Sequence, residues 1–231
     1  MMYPPEILTK AVAAVCPDIQ ARIENESVSD ERHLWWELSC CILSSQVPYS
    51  LAIAAADAID ESGCLYSKDQ HSTSVEDRIY HLLSRPLSVE GKLRAYRFPK
   101  ARSYQIATTH AAVFEAERSL NSLMRKFSHA EEARTWLVAH ASGIGPKQAS
   151  MFLRNCGFTY DMAILDRHVL NYMSTLGIYS GSQSSVTGLV KYGKLENTLR
   201  DHASEMDCPV GLLDWAIWIV MRVANKDQEA F

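Results

Sequence analysis

The sequence lacks the cysteine spacings on which zinc ribbons and disulfide-rich domains depend. It has six cysteines in 231 residues, and no two of them are separated by two residues. This distribution excludes a zinc ribbon and a dense disulfide framework. The six positions are Cys16, Cys40, Cys41, Cys64, Cys156 and Cys208.

Long apolar runs are also absent. No uncharged apolar stretch reaches the roughly 18 residues that span a bilayer. The first ten residues, MMYPPEILTK, lack the basic start and apolar core of a signal peptide. We therefore expect a cytoplasmic protein with reduced thiols and no membrane partner.

The sequence has no excess of positive charge, since 27 acidic residues against 23 lysines and arginines give a formal net charge of -4. Taken alone, this balance argues weakly against a nucleic-acid partner. The positive charges are unevenly distributed along the chain. The segment from Arg85 to Arg102 contains six lysines and arginines and a single acid, Glu90. This basic strip fits either a nucleic-acid contact or a solvated helix face and loop.

Apolar residues recur mainly at helical spacing, and no stretch shows a convincing alternation with period two. The pattern predicts two helices within 33–60, divided near Pro48, and one long helix from Lys100 to about Lys126. Further helices are predicted over 74–84, 129–141, 146–156, 166–176, 189–206 and 210–225, with a loop over 180–188. The predicted fold class is all-α.

The stretch from Trp136 to Leu153, WLVAHASGIGPKQASMFL, predicts two helices joined by a tight turn. Gly143 and Gly145 permit positive φ and close backbone approach, and Pro146 suits a first helical position. The second helix then presents N–H groups and a positive dipole end, which favour a phosphate oxygen. The turn can thus bind a DNA backbone, although similar turns also join helices in purely structural αα-hairpins.

Two chemically useful residues follow this turn at a defined spacing. Lys147 begins the second helix, and Asp166 comes nineteen residues later, in AILDRHVL. GIGPKQAS followed by AILDRHVL resembles the signature of the helix-hairpin-helix DNA glycosylases, which have a Gly/Pro-rich turn and a later aspartate. The resemblance implies that Lys147 is the nucleophile and Asp166 its acidic partner.

Within that superfamily the chain is similar to the archaeal-type 8-oxoguanine DNA glycosylase/AP lyase family. The similar segments are SGIGPKQASMFLRNCG, AILDRHVL, RFPKARSYQI and LLDWAIW, and they span residues 35–220 approximately. Three features depart from the pattern. Ser142 replaces a common proline, the four-cysteine iron–sulfur cluster of some relatives is missing, and the chain continues to Phe231 beyond the usual terminal, base-contacting lysine. The last departure leaves the base preference open.

The resemblance implies the helix-hairpin-helix DNA glycosylase fold, with two helical lobes and an active-site cleft between them. Residues 35–155 would form a helical-barrel lobe that ends in the helix-hairpin-helix. Residues 1–34 and 156–231 would form the second lobe, which carries Asp166 and the C-terminal helix.

The same resemblance suggests residues that handle the extruded base. Gln46, in Ser44-Ser45-Gln46, would enter the duplex as a wedge, or else it caps the helix break before Pro48. Asp214 and Trp218 are one helical turn apart and would line the base pocket. A tryptophan on a helix more often packs in a core, so this second interpretation stays open.

The DNA backbone would be held by the hairpin turn and by the start of the long helix. Gly143 and Gly145 are the expected contacts in the turn, and Lys100 and Arg102 are those in the helix. Main-chain carbonyls of the hairpin could hold a monovalent cation, as in relatives. No metal ligand set and no other cofactor is expected.

The expected function is excision of a modified base from double-stranded DNA, with 8-oxoguanine favoured. Lys147 would form a Schiff base, and β-elimination would then cut the strand. Two alternatives remain. The same chemistry could act on another base, such as a hypermodified cytosine of phage DNA in antiviral defence, or the chain could be a non-catalytic DNA-binding module. A monomer is expected.

Overall fold

A computed structural model of the protein describes residues 3–23, 30–66, 74–181 and 186–229, with the backbone alone for Arg22 and residues 225–229. Helices make up most of these ranges, which confirms the expected all-α fold class. None of the described helices is both long and apolar enough to cross a membrane. The helices are α1 (Pro5–Ile23), α2 (Glu31–Leu43), α3 (Tyr49–Ser62), α4 (Val75–Leu83), α5 (Pro99–Ala116), α6 (Leu120–Met124), α7 (Ala130–His140), α8 (Pro146–Asn155), α9 (Arg167–Thr175), α10 (Leu189–Glu205) and α11 (Val210–Glu229), and the strands are β1 (Leu87–Val89) and β2 (Lys92–Arg94).

The chain folds into two compact units. The first is made of Met1–Ser27 together with Gly157–Phe231, and the second is Val28–Cys156. The first unit therefore contains α1 and α9 to α11. The second contains α2 to α8 and both strands, including the predicted hairpin.

Several helices of the second unit begin where the sequence supplies a cap. The carboxylate of Asp30 accepts a hydrogen bond from the backbone N–H of His33 at 2.8 Å, which caps α2. Pro99 and Pro146 occupy the first turns of α5 and α8, where the missing N–H is harmless. These local features place the start of α8 directly after the Gly-Ile-Gly turn.

The predicted long helix over 100–126 is wrong, because the chain divides it into α5 and α6. The hydroxyl of Ser119 caps the new helix. The carboxylate of Glu31 accepts two further hydrogen bonds there, from the N–H of Leu120 at 2.9 Å and of Asn121 at 2.7 Å. A cap from a residue 89 positions away cannot be predicted from the spacing of apolar residues.

The basic strip contains a short antiparallel hairpin that period analysis did not predict. Val89 of β1 pairs with Lys92 of β2. Glu90 and Gly91 form the turn with φ of 51° and 75°. Strands of three residues are too short to show a period of two, so the difference is expected from their length.

A buried carboxylate fastens the C-terminal end of α8 to α2. Glu37 is 3% exposed and accepts a hydrogen bond from the side-chain amide of Asn155 at 2.7 Å. Burial raises the pKa of Glu37, and the bond from Asn155 opposes that rise. This contact fixes the end of α8 that lies opposite Lys147.

The first unit is built around α11, against which α1 and α9 pack. Its core is apolar and includes Val12, Ile19, Val169, Leu213 and Ile217, all at most 3% exposed. Removing these side chains from water supplies the main favourable free energy of the unit.

The start of α11 tests how closely the backbone is packed in this unit. A Cβ atom on Gly211 would lie 2.6 Å from the carbonyl oxygen of Tyr160 and 2.8 Å from that of Met162. We expect Gly211→Ala to lower the free energy of unfolding by about 1–3 kcal/mol, because backbone would have to move. Urea unfolding followed by circular dichroism measures it.

Gly193 provides the matched control in α10. A Cβ atom there meets nothing within 4 Å, so Gly193→Ala should raise the free energy of unfolding by about 0.5–1 kcal/mol. Equal stabilities of the two variants would contradict the packing described for Gly211.

Candidate active site

The turn between α7 and α8 is the first element of the site. Gly143 has a φ of 83°, a conformation that side chains other than glycine rarely adopt. A Cβ atom there would also lie 2.7 Å from the amide carbon of Gln105. Ile144 is 6% exposed and anchors the turn in the core of the second unit. The turn is therefore conformationally restricted at Gly143, with the side-chain amide of Gln105 beside it.

The N-terminus of α8 carries the predicted nucleophile. Gly145 is the N-cap and offers no side chain to the first N–H groups of the helix. Such uncapped groups can donate to a phosphate oxygen. Lys147 is half-buried in the first turn. Among the residues that the structure describes, its amine makes no ion pair or hydrogen bond.

Asp166 lies in the other unit, at the N-cap of α9. Its Oδ1 accepts hydrogen bonds from the N–H of His168 at 2.8 Å and of Val169 at 2.9 Å. Its Oδ2 accepts none from the described part of the chain. One carboxylate oxygen thus fixes the side chain, and the other can face a substrate.

The residues before Asp166 are tied by buried polar side chains from α10. The hydroxyl of Tyr192 donates to the carbonyl oxygen of Ala163 at 2.7 Å and accepts from the N–H of Leu165 at 3.0 Å. The carboxylate of Glu196 accepts from the N–H of Ala163 at 2.9 Å. These bonds hold the extended segment that leads into Asp166.

Asp214 holds the same segment from α11. It is 2% exposed, and its Oδ2 accepts a hydrogen bond from the N–H of Ile164 at 2.5 Å. Its predicted place in a base pocket therefore stays a prediction, while its support of the Asp166 segment is observed. Trp218, one turn later, is 37% exposed and stacks with Arg222, whose guanidinium carbon lies 4.9 Å from the ring centre.

Gln46 projects from the loop between α2 and α3. Its side chain is exposed, and its φ of 61° is left-handed. Few non-glycine residues adopt this conformation, and those that do often lie at functional sites. The geometry is compatible with the predicted wedge, which remains a prediction.

The two predicted backbone contacts on α5 differ in environment. Lys100 is exposed in the first turn of the helix. Arg102 is 9% exposed, and it donates to the side chain of Gln105 at 2.5 Å and to the carbonyl oxygen of Ser45 at 2.9 Å. Its guanidinium therefore already donates hydrogen bonds to two acceptors within the second unit.

In the described ranges, no three His, Cys, Asp or Glu side chains come together as a possible metal site. The monovalent cation expected at the hairpin carbonyls stays a prediction. The candidate residues Lys147, Asp166 and the hairpin turn offer an amine, a carboxylate and backbone N–H donors.

Comparison with known proteins decides the family. The family model described as 8-oxoguanine DNA glycosylase, Ogg-HhH, matches residues 19–208. The chain belongs to this family. An 8-oxoguanine DNA glycosylase/AP lyase from Metallosphaera sedula is 31% identical over 195 residues, which cover 82% of each protein. The enzyme of the same name from Sulfurisphaera tokodaii is 29% identical over 189 residues, 81% of this chain and 82% of its own.

The fold agrees with this assignment to the Ogg-HhH family. The crystal structure of the 8-oxoguanine DNA glycosylase of Thermotoga maritima superimposes with a TM-score of 0.66 at 25% identity, covering 93% of both chains. The resemblance derived from the hairpin and aspartate motifs is thereby confirmed, as is the helix-hairpin-helix fold.

Sequence reasoning missed several polar residues that position the site in this Ogg-HhH member. Tyr192 and Glu196 lie four residues apart on α10, so they share a helix face. That spacing is their only signal in the sequence. Gln105 has no such signal in the sequence. Its contacts are with Arg102, one turn earlier on α5, and with Gly143 in the hairpin turn.

The tie between Tyr192 and the Asp166 segment can be tested by removing one hydroxyl. Tyr192→Phe keeps the ring but leaves the carbonyl of Ala163 and the N–H of Leu165 without their partner. A buried polar group without a partner costs about 1–3 kcal/mol, so we expect unfolding to become easier by about 2 kcal/mol. Denaturant unfolding measures the change.

Tyr172→Phe in the same unit is the matched control. The hydroxyl of Tyr172 pairs with the side chains of Thr9 and His202, which are half-buried and can turn to water. We expect a loss below about 1 kcal/mol. A loss as large as that of Tyr192→Phe would show that the backbone tie is not the cause.

Proposed function

We propose that this protein is a bifunctional DNA glycosylase and AP lyase that excises 8-oxoguanine from double-stranded DNA. The observation that carries the proposal is the half-buried Lys147 in the uncapped first turn of α8, in a chain of the Ogg-HhH family. The names of the relatives, which include both activities, support the same conclusion.

The proposed reaction begins with the neutral amine of Lys147. It attacks C1′ of the deoxyribose, and the bond from C1′ to the base nitrogen breaks with its electron pair leaving on the base. Positive charge develops on the sugar, and the carboxylate of Asp166 stabilises it. Asp166 also accepts a proton from the attacking amine and passes it to the departing base, so the base leaves in neutral form.

Strand cleavage follows from the covalent intermediate. The nitrogen lone pair then forms a second bond to C1′ as the C1′–O4′ bond breaks and O4′ takes up a proton, which leaves a protonated Schiff base between Lys147 and C1′. Removal of a C2′ proton then expels the 3′ phosphate oxygen by β-elimination. Water hydrolyses the Schiff base and returns the amine. An aspartate without the lysine would release the base only, so the lyase step depends on Lys147.

The remaining site residues would act before the chemistry. The turn at Gly143 and Gly145 would bind phosphate through backbone N–H groups, and the exposed Lys100 would add a cation. Gln46 would fill the space that the extruded base leaves. The exposed indole of Trp218 offers a flat face on which that base could stack.

Covalent trapping tests the nucleophile. With borohydride and a duplex containing 8-oxoguanine opposite cytosine, we expect a protein–DNA adduct on denaturing gels. Lys147→Gln should abolish it, because no amine remains to form the Schiff base. Lys10→Gln, which removes an exposed lysine of α1, should trap as the wild type does.

The choice of duplex separates the competing functions. An adduct only with hydroxymethylated or glucosylated cytosine would move the substrate to modified phage DNA and keep the chemistry. No adduct on any duplex, an abasic site included, would contradict the lyase. If binding were then intact, the protein would be a monofunctional glycosylase or a binding module.

The acidic partner can be tested without disturbing the helix cap. Asn is as good an N-cap as Asp, so Asp166→Asn should keep the bonds to the N–H groups of His168 and Val169. We expect base excision to fall by about 10²–10⁴-fold in single-turnover kinetics, because charge stabilisation and proton transfer are lost. A smaller fall, with the thermal midpoint unchanged, would exclude Asp166 from the chemical step.

A further inference from the structure

The left-handed backbone at Gln46 requires an explanation within the second unit. Such a conformation costs roughly 1–3 kcal/mol and persists only where its surroundings determine it. Gln46 itself is exposed, so its own side chain does not supply this stabilisation by burial. The neighbouring backbone must therefore be held by other groups.

Two side chains hold the backbone that precedes Gln46. The hydroxyl of Tyr96 donates to the carbonyl oxygen of Leu43 at 2.7 Å. Arg102 donates through Nη2 to the carbonyl oxygen of Ser45 at 2.9 Å. The second bond acts on the peptide group between Ser45 and Gln46. Arg102 thus fixes the backbone that sets the direction of the Gln46 side chain.

The same guanidinium reaches towards the hairpin turn. Its Nη1 donates to Oε1 of Gln105 at 2.5 Å. The amide of Gln105 lies directly against Gly143, where a Cβ atom would approach it to 2.7 Å. An unbroken series of contacts therefore runs from the glycine turn through Gln105 and Arg102 to the Gln46 loop.

Packing alone does not account for an arginine at this position. The side chain is 9% exposed, and its Nε is buried without an acceptor among the described residues. Burying a cation with an unsatisfied donor is unfavourable, and an apolar residue of similar length would avoid that cost. What an apolar residue cannot provide is two hydrogen bonds in a fixed fork.

We infer that Arg102 is a positioning residue that sets the wedge loop at Gln46 relative to the phosphate-binding turn, and is not itself a phosphate contact. The inference rests on the proposed function, since it gives Gln46 a part in base extrusion. It reassigns a residue that sequence resemblance would place on the DNA backbone. Phosphate binding by the hairpin turn and the placement of Gln46 in the duplex are then coupled through the side chain of Arg102.

The first experiment compares extrusion with chemistry. Arg102→Met should lower single-turnover excision of 8-oxoguanine by about 10- to 100-fold, because the wedge is misplaced. Strand cleavage at a preformed abasic site, where no base has to be extruded, should change much less. Fluorescence of 2-aminopurine beside the lesion should rise less than with wild type. Equal losses in both reactions would overturn the inference.

Arg78→Met is the matched control. Arg78 also donates from a guanidinium to a backbone carbonyl, that of Ser62, at 3.2 Å in the same unit. It has no bond to the Gln46 loop, so excision should stay near wild type. A similar loss in this variant would show that any such bond supports activity through general stability.

Arg102→Lys and the salt dependence separate positioning from phosphate binding. A lysine keeps the charge and loses the fork, so positioning predicts a loss close to that of Arg102→Met. The slope of log affinity against log salt should stay unchanged in both variants. A slope smaller by about 0.9 in Arg102→Met, with near-normal Arg102→Lys, would identify a phosphate contact and overturn the inference.

A double-mutant cycle and hydrogen exchange complete the test. If Arg102 acts through Gln46, adding Arg102→Met to Gln46→Ala should reduce excision little further, and additive losses would overturn the inference. Amide exchange of residues 43–47 should accelerate in Arg102→Met without DNA, whereas unchanged exchange would overturn it. This arm needs no activity, so it stands even if trapping with Lys147 fails and the proposed function falls.

Discussion

The residue on which most of the site depends is the glycine at position 143. Its φ of 83° directs the chain from α7 into α8, and its missing side chain leaves room for Gln105. Any other residue would meet a strained backbone, and its Cβ atom would displace the side-chain amide of Gln105. The turn sets where the uncapped end of α8 points, and with it where Lys147 lies. It also supports the contacts that reach the Gln46 loop.

The unit that contains α9 to α11 holds the carboxylate of Asp166 in place through backbone hydrogen bonds and, among the described residues, not through an ion pair. Asp166 uses one oxygen as a helix cap, so its orientation comes from the backbone of α9 and needs no cation. The preceding segment is bonded to Tyr192, Glu196 and Asp214. Buried hydrogen bonds of this kind restrict motion, because breaking them leaves polar groups without water. A fixed, uncommitted oxygen is what charge stabilisation requires.

Local chemistry made the hairpin predictable, together with the positions of Lys147 and Asp166 at the starts of helices. Glycine, proline, lysine and aspartate act there through near neighbours in the chain, and so spacing reveals them. Longer-range effects were not predictable. The division between α5 and α6 depends on Glu31, 89 residues away, and the burial of Arg102 depends on the carbonyl of Ser45. Glu31 and Ser45 both lie too far along the chain from the residues they contact for the local pattern of apolar residues to reveal them. Helix α1 was not predicted either, and it contains Pro17, which breaks helical patterns.

An overall charge of -4 is compatible with DNA binding if the contacts to the DNA backbone do not depend mainly on lysine and arginine side chains. Backbone N–H groups at a helix end attract phosphate through partial charges, which the formal count of lysines and arginines omits. One arginine of the basic strip, Arg102, is 9% exposed and donates to the carbonyl oxygen of Ser45, and we have inferred that it positions the Gln46 loop. Each cation that does not neutralise a phosphate releases no counterion, which weakens the salt dependence of binding. On the roles proposed for Arg102 and the hairpin turn, charge composition would overstate the electrostatic part of DNA recognition in this strip and understate the part supplied by the hairpin backbone.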